Sequence, residues 1–153
     1  MKAKAVVFAD RLRVEVREME VPEPGADDVV VAVDHSWISI GTESSFLRGE
    51  RVSGERPYRK GDPWPFPIVP GYQKTGTVIA KGANVRHLGE GDRVFAAMSR
   101  VNGMLFSVGG HVSPAVTPAG EVWKLPGALP SLDYCGMVLT QVGVNCGMRA
   151  KVE

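Results

Sequence analysis

Only two cysteines, Cys135 and Cys146, occur in 153 residues. They fall on one predicted helix, which excludes the disulfide framework of a small secreted domain. Charge of one sign is also lacking. Eighteen Lys and Arg stand against 17 Asp and Glu, a net charge of +1. With the two signs interspersed, there is no basic footprint for nucleic acid or an anionic membrane. Apolar runs such as Val29 to Val33 are far shorter than the roughly 20 residues that span a bilayer. Lys2 and Lys4 are not followed by the apolar core of a secretory signal, so the sequence predicts a cytoplasmic protein. The three histidines, His35, His87 and His111, show no metal-ligand spacing, and no metal is assigned.

Two glycine patterns also fail as phosphate cradles. Gly71 to Gly76 has P-loop spacing, but Thr77-Val78 stands where Lys and Ser/Thr are needed. Gly89-Glu90-Gly91 begins a dinucleotide fingerprint, yet Val94 occupies the third glycine position and no strand–helix pattern surrounds it. Both read as turns.

Glycine and proline are abundant, at 18 and 11. Separated by β-branched runs, they predict one mainly β domain with many short connections. Residues 2–19 read as a hairpin, with Ala3, Ala5 and Val7 on one strand and Leu12, Val14 and Val16 on the other at the period of half-buried strands. Pro22 to Gly25 ends it, and Val29 to Val33 reads as a fully buried strand. Strands are also expected over Lys74–Ala80 and Arg93–Met98, and a tight hairpin at Asn102-Gly103. Residues 48–67 have little periodicity; Arg48, Arg51, Arg56, Arg59 and Lys60 mix with Tyr58, Trp64 and Phe66. The segment reads either as a lid over a cleft or as a solvated loop pinned by aromatics. Ser131 is a good N-cap, and Leu132, Cys135, Val138, Leu139, Val142 and Cys146 form one stripe of a C-terminal helix. That stripe alone does not choose between core and interface.

The order P-x-x-x-G-x-x-x-x-G-x-V from Pro67 to Val78, then Gly82-x-x-Val85, then Gly91-Asp92-Arg93-Val94, resembles the GroES-like catalytic domain of medium-chain dehydrogenases/reductases. The resemblance covers nearly the whole chain. It implies a GroES-like fold, a partly closed β-barrel or twisted sheets with short helices and a C-terminal helix. Residues 1–130 would form the substrate domain and 131–153 a linker helix. A strand and a G-x-G-x-x-G turn seating NAD or NADP would follow in a domain outside this chain.

The resemblance also locates candidate residues and points to a zinc-free branch. Zinc members read Cys-Gly-Thr/Ser-Asp-x-His where this chain has Ile40-Gly41-Thr42-Glu43-Ser44-Ser45, and Gly-His-Glu where it has Gly71-Tyr72-Gln73. Isoleucine cannot ligate a metal, and neutral tyrosine is a weak ligand. Cys135 reads either as a relic of a third ligand or as a small buried hydrophobe. No cysteine lies between Asp92 and Gly120, so the lobe that holds a structural zinc in many relatives is missing.

Thr42 reads as a catalytic hydroxyl or as an N-cap or early-turn residue of a short helix over Glu43–Leu47. Tyr72 reads as a proton donor to a substrate oxygen or as a strand residue packed on the cleft floor. Trp37, Gln73 and Trp64 are expected near a small-molecule substrate, and Thr140 on the cofactor side. The function implied is hydride exchange between NAD(P)(H) and an alcohol/carbonyl or activated alkene, without zinc. The alternative is a non-catalytic GroES-like binding or assembly module. A homodimer through the C-terminal helix fits either.

Overall fold

The computed structural model describes residues 1–50, 66–101, 106–107, 109–127 and 129–150. The expected Asn102-Gly103 hairpin, most of the 48–67 segment and Trp64 lie outside them. Strands dominate: β1 (Lys2–Asp10), β2 (Arg13–Glu20), β3 (Asp28–Ser36), β4 (Ile68–Val69), β5 (Lys74–Lys81), β6 (Arg93–Ala96), β7 (Phe106–Ser107), β8 (Val112–Ser113), β9 (Ala115–Pro118) and β10 (Val122–Lys124). Among the described residues three α-helices join them, α1 (Ile40–Leu47), α2 (Ser131–Tyr134) and α3 (Met137–Ala150).

Two sheets result. One runs β2-β1-β4-β7 with β8 also paired to β1, and the other runs β10-β6-β5-β3-β9. Among the described residues neither closes on itself, which agrees with the expected mainly β, only partly closed GroES-like arrangement. Val29, Val30 and Val31 of β3 are buried, as the apolar run predicts, and they serve two cores. Val30 packs with Ala3, Ala5, Val7, Val69 and Val116. Val29 and Val31 pack with Val78, Leu88, Val94 and Val122. Each fully buried valine contributes roughly 1.5–3 kcal/mol, so the central strand holds the two layers together.

The β1–β2 hairpin forms where the alternation places it, but the faces differ from expectation. Register pairs Val7 with Glu15, Ala5 with Arg17 and Ala3 with Met19. The buried face of β1 therefore continues onto the charged side of β2, where Arg13 and Arg17 bridge Glu15. Val14 and Val16 instead stand beside Phe8 and Val6, and both are largely exposed. Alternation fixes which residues share a face; only cross-strand register fixes which face is covered.

The single C-terminal helix also differs. Its N-cap position is Pro130, with Ser131 the first helical residue, and a turn at Cys135-Gly136 separates α2 from α3. Of the predicted stripe only Cys135 is buried, while Leu132, Leu139 and Val142 are exposed. The helix has an apolar stripe that the described residues do not cover.

Two buried devices tie the loops at one end of the sheets. Lys74 is fully buried, and its Nζ donates to the Ala97 carbonyl at 2.6 Å and the Gly109 carbonyl at 3.2 Å. Beside it, the 109–111 turn packs on the 70–72 turn. Gly110 and His111 donate their N–H groups to the Pro70 carbonyl at 3.0 and 3.1 Å. A Cβ on Gly110 would overlap the Gly71 backbone and the Tyr72 nitrogen, so only glycine permits this approach.

Gly110→Ala is accordingly expected to cost more than about 2 kcal/mol, while Gly120→Ala, which opens into free space, stays within about 0.5 kcal/mol. Chemical denaturation of the two variants checks this. A second expectation concerns pH. Desolvation lowers the Lys74 ammonium from its ordinary 10.5 to about 7. The unfolded chain then binds the extra proton between those values, so stability rises with pH across that window, by at most about 5 kcal/mol. Urea midpoints measured below and above pH 7 should climb in the wild type and stay flat in Lys74→Met. An equal slope in both would contradict the assignment.

Candidate active site

Trp37 and Thr42 lie where β3 runs into α1, Tyr72 and Gln73 directly before β5, and Thr140 on α3. α1 starts earlier than expected. Ser39 is its N-cap and Thr42 lies in the first turn, half-buried. The Thr42 carbonyl accepts from the Ser45 hydroxyl at 2.8 Å. Thr42 is therefore an early-turn residue, and Ser39 fills the capping position. Tyr72 follows Gly71, whose φ of +83° turns the chain out of the Pro70 segment, and its side chain is half-buried.

Trp37 and Thr140 are brought together. With Leu132, Asp133, Gly136 and Leu139 they line a cavity of about 450 Å³, within the usual range for small-molecule sites of ~300–1,000 Å³. The Trp37 ring lies over Gly136, and its backbone N–H donates to the Gln73 carbonyl at 3.2 Å. The Thr140 hydroxyl donates back to the Gly136 carbonyl at 3.1 Å, leaving its lone pairs for other donors. Thr42 and Tyr72 are not among the residues lining this cavity.

Gln73 sits deeper than a cleft residue, with 0% of its surface exposed. Its carboxamide has no hydrogen-bond partner among the described residues. Such a buried, unmatched amide costs about 1–3 kcal/mol, which marks the segment entering β5 as shaped by more than packing.

The donor chemistry for a catalytic zinc does not fit. Three protein ligands and an open position are needed. Ile40 offers only carbon and is 78% exposed. Cys135 is buried against Thr75, and desolvation pushes its thiol up, away from the thiolate a metal requires. Among the described residues no group of three or more His, Cys, Asp or Glu could hold a metal.

Sequence reasoning missed one feature. His111 directly precedes β8, and its carbonyl accepts from the Val6 N–H of β1 at 2.9 Å. Its ring is buried, with Nε2 at 2.8 Å from a Glu43 carboxylate oxygen and Nδ1 at 2.8 Å from the Ser36 hydroxyl. The other Glu43 oxygen accepts the Ser39 N–H at 2.8 Å. Two glycines directly before a histidine were the available signal, since they let a turn approach close enough to bury the ring. Its acidic partner lies 68 positions away in sequence, which no local pattern reveals. The same pair helps line a separate cavity of about 330 Å³, walled by Val6, Phe8, Val14, Ile38 and Leu47.

Among curated proteins, the chain is similar to the 2-desacetyl-2-hydroxyethyl bacteriochlorophyllide A dehydrogenase of Cereibacter sphaeroides. The two are 29% identical over 141 residues, covering 84% of this chain and 40% of the relative. It is also 34% identical over 115 residues to an alcohol dehydrogenase of a Moraxella species, covering 72% of this chain and 28% of that one. The chain thus spans less than half the length of these relatives. Among solved structures, an Escherichia coli oxidoreductase/dehydrogenase of unknown specificity matches with a TM-score of 0.78. That match has 21% identity, over 100% of this chain and 48% of that one, and shows a shared fold. The sequence pattern of the alcohol dehydrogenase GroES-like domain fits residues 25–127, and the chain belongs to that family, within the medium-chain dehydrogenase/reductase superfamily.

Proposed function

We propose that this chain is the substrate-binding, catalytic half of a zinc-independent, NAD(P)(H)-dependent oxidoreductase acting on an alcohol/carbonyl or an activated alkene. The observation that carries the reading is the cavity in which Trp37, at the end of β3, meets Gly136, Leu139 and Thr140 of the C-terminal helical segment. It joins the substrate side of the domain to the element that leads onward in the chain. Relatives support the chemistry. The quinone oxidoreductase of Escherichia coli was solved with NADPH. An Arabidopsis thaliana NADPH-dependent alkenal/one oxidoreductase is 33% identical over 100 residues, covering 63% of this chain and 24% of its own.

A nicotinamide bound by a domain outside this chain would supply the hydride. What these residues contribute is orientation and a proton. Thr42 and Tyr72 lie outside the lining of that cavity, on α1 beyond Trp37 and next to Gln73, whose carbonyl holds the Trp37 backbone; from there their O–H groups would donate to a substrate oxygen, with no Lewis acid required of the protein. Trp37 gives the cavity a flat aromatic wall, and Thr140 offers lone pairs toward the cofactor side. Gln73 acts beneath the cleft, through the carbonyl that holds the Trp37 backbone; Trp64 would join them from the 48–67 segment. The poor ligand set of Ile40, Tyr72 and Cys135 supports zinc independence. The exposed apolar side chains of α3, including Met137, Leu139, Val142 and Met148, are covered in this reading by the cofactor-binding half.

In the enzyme carrying this chain with its cofactor domain, Thr42→Val and Tyr72→Phe are each expected to lower kcat by about 10-fold or more. Together they should lower it by about 10²-fold, in the range of a lost proton-transfer group. Steady-state kinetics with NADH and NADPH against alcohols, aldehydes and enones makes the test. Unchanged turnover in both variants would remove these residues from the mechanism.

A further inference from the structure

We infer that Glu43 and His111 are positioning residues: their buried hydrogen bond fixes the segment carrying Thr42 against the segment carrying Tyr72. This rests on the proposed function, but the geometry behind it does not. Glu43 is 3% exposed and follows Thr42 in the first turns of α1; His111 is 8% exposed and precedes β8. Their contact joins elements 68 residues apart.

On one side, the Glu43 carboxylate is bound into the start of α1. One oxygen accepts the N–H of Ser39, the residue that caps the helix, at 2.8 Å, and so holds the turn containing Thr42. Its other oxygen accepts from His111 at 2.8 Å. With the carboxylate on Nε2, the proton of a neutral imidazole belongs there, and Nδ1 is left to accept from the Ser36 hydroxyl at 2.8 Å. Both ring nitrogens are engaged, so the ring cannot rotate without breaking two buried hydrogen bonds.

On the other side, the imidazole lies on Gly71. A Cβ there would stand 2.7 Å from Nε2 and 2.8 Å from Cε1, so only a residue without a side chain permits the contact. The neighbouring peptide nitrogen belongs to Tyr72, against which Gly110 packs. Lys74 closes the brace from behind by donating to the Gly109 carbonyl. The Tyr72 backbone is thereby set by the turn that carries His111, and the Thr42 backbone by the acid that His111 holds. Shortening the link should move one of these segments relative to the other, and misplacement on the order of 1 Å can cost about 10²-fold in rate.

Two substitutions separate geometry from charge. Glu43→Asp keeps the carboxylate and shortens the arm by one methylene. Glu43→Gln keeps the length and removes the charge; its amide can still accept from Ser39 and donate to His111 with the ring tautomer reversed. In amide NMR spectra of the 153-residue chain, Glu43→Asp is expected to shift Thr42 and Tyr72 together. Glu43→Gln should leave both near their wild-type positions while the His111 ring nitrogens exchange their proton. In the enzyme with its cofactor domain, Glu43→Asp should lower kcat about 10-fold or more with KM within about twofold. Glu43→Gln should stay within about threefold of wild type. A purely structural role would lower stability but not the turnover of the folded protein. Wild-type kcat in folded Glu43→Asp, a larger loss in Glu43→Gln, or a shift of one segment without the other would overturn the inference. If Thr42→Val and Tyr72→Phe have no effect on turnover, the proposed function fails, and the paired amide shifts still decide whether the brace exists.

Discussion

The arrangement depends on one backbone contact, the 109–111 turn lying on the 70–72 turn with no room for a Cβ at Gly110. The contact brings β8, which pairs with β1, up against the loop that leads into β5 of the other sheet. Through it the two five-stranded sheets share an end, and the side chains around that end acquire fixed places. Lys74 tolerates full burial because the Ala97 and Gly109 carbonyls are held where its ammonium can reach them. His111 finds Gly71 as a floor and Glu43 as a partner for the same reason. Loosening that single approach would release a buried cation and a buried carboxylate together, each costly without its partner.

Function follows from how that end is finished. Family membership supplies a GroES-like domain of the medium-chain dehydrogenase/reductase kind, and the proposed function rests on the side chains it carries. Where a metal would need thiolate and imidazole, this chain presents an exposed isoleucine, a tyrosine and a buried, protonated thiol. Hydroxyl groups remain, on Thr42, Tyr72 and Thr140. In the proposed reading, hydrogen-bond donors must be held in place by the protein itself, which calls for a rigid frame. The buried polar residues around Gly71 are the frame this sequence provides.

Much of this was legible in residue order. Val29 to Val33 announced the central strand, the alternation of residues 2–19 announced the hairpin, and the Pro67–Val94 glycine and valine pattern announced the fold. Trp37 and Thr140, named separately, line one cavity. What could not be read were relations across the chain. Register set Val14 beside Phe8 and Val16 beside Val6, with both valines largely exposed, a fact of pairing that alternation does not contain. Gln73 was expected as a neighbour of the cleft, and its complete burial just before β5 is set by tertiary packing that local sequence does not contain. His111 looked solitary because its acid is 68 residues away. The turn that splits the C-terminal helix was hidden too, since the stripe of Leu132, Cys135 and Val138 passes through Cys135-Gly136 at helical spacing.

The most direct test of the account is nicotinamide-coupled turnover in the enzyme that carries this chain, before and after exhaustive chelation, with zinc content measured alongside. The account predicts activity that survives metal removal and does not rise when zinc is returned, because Ile40, Tyr72 and Cys135 make a poor ligand set and the proposed chemistry uses hydroxyl donors. Activity lost on chelation and restored by stoichiometric zinc would contradict it.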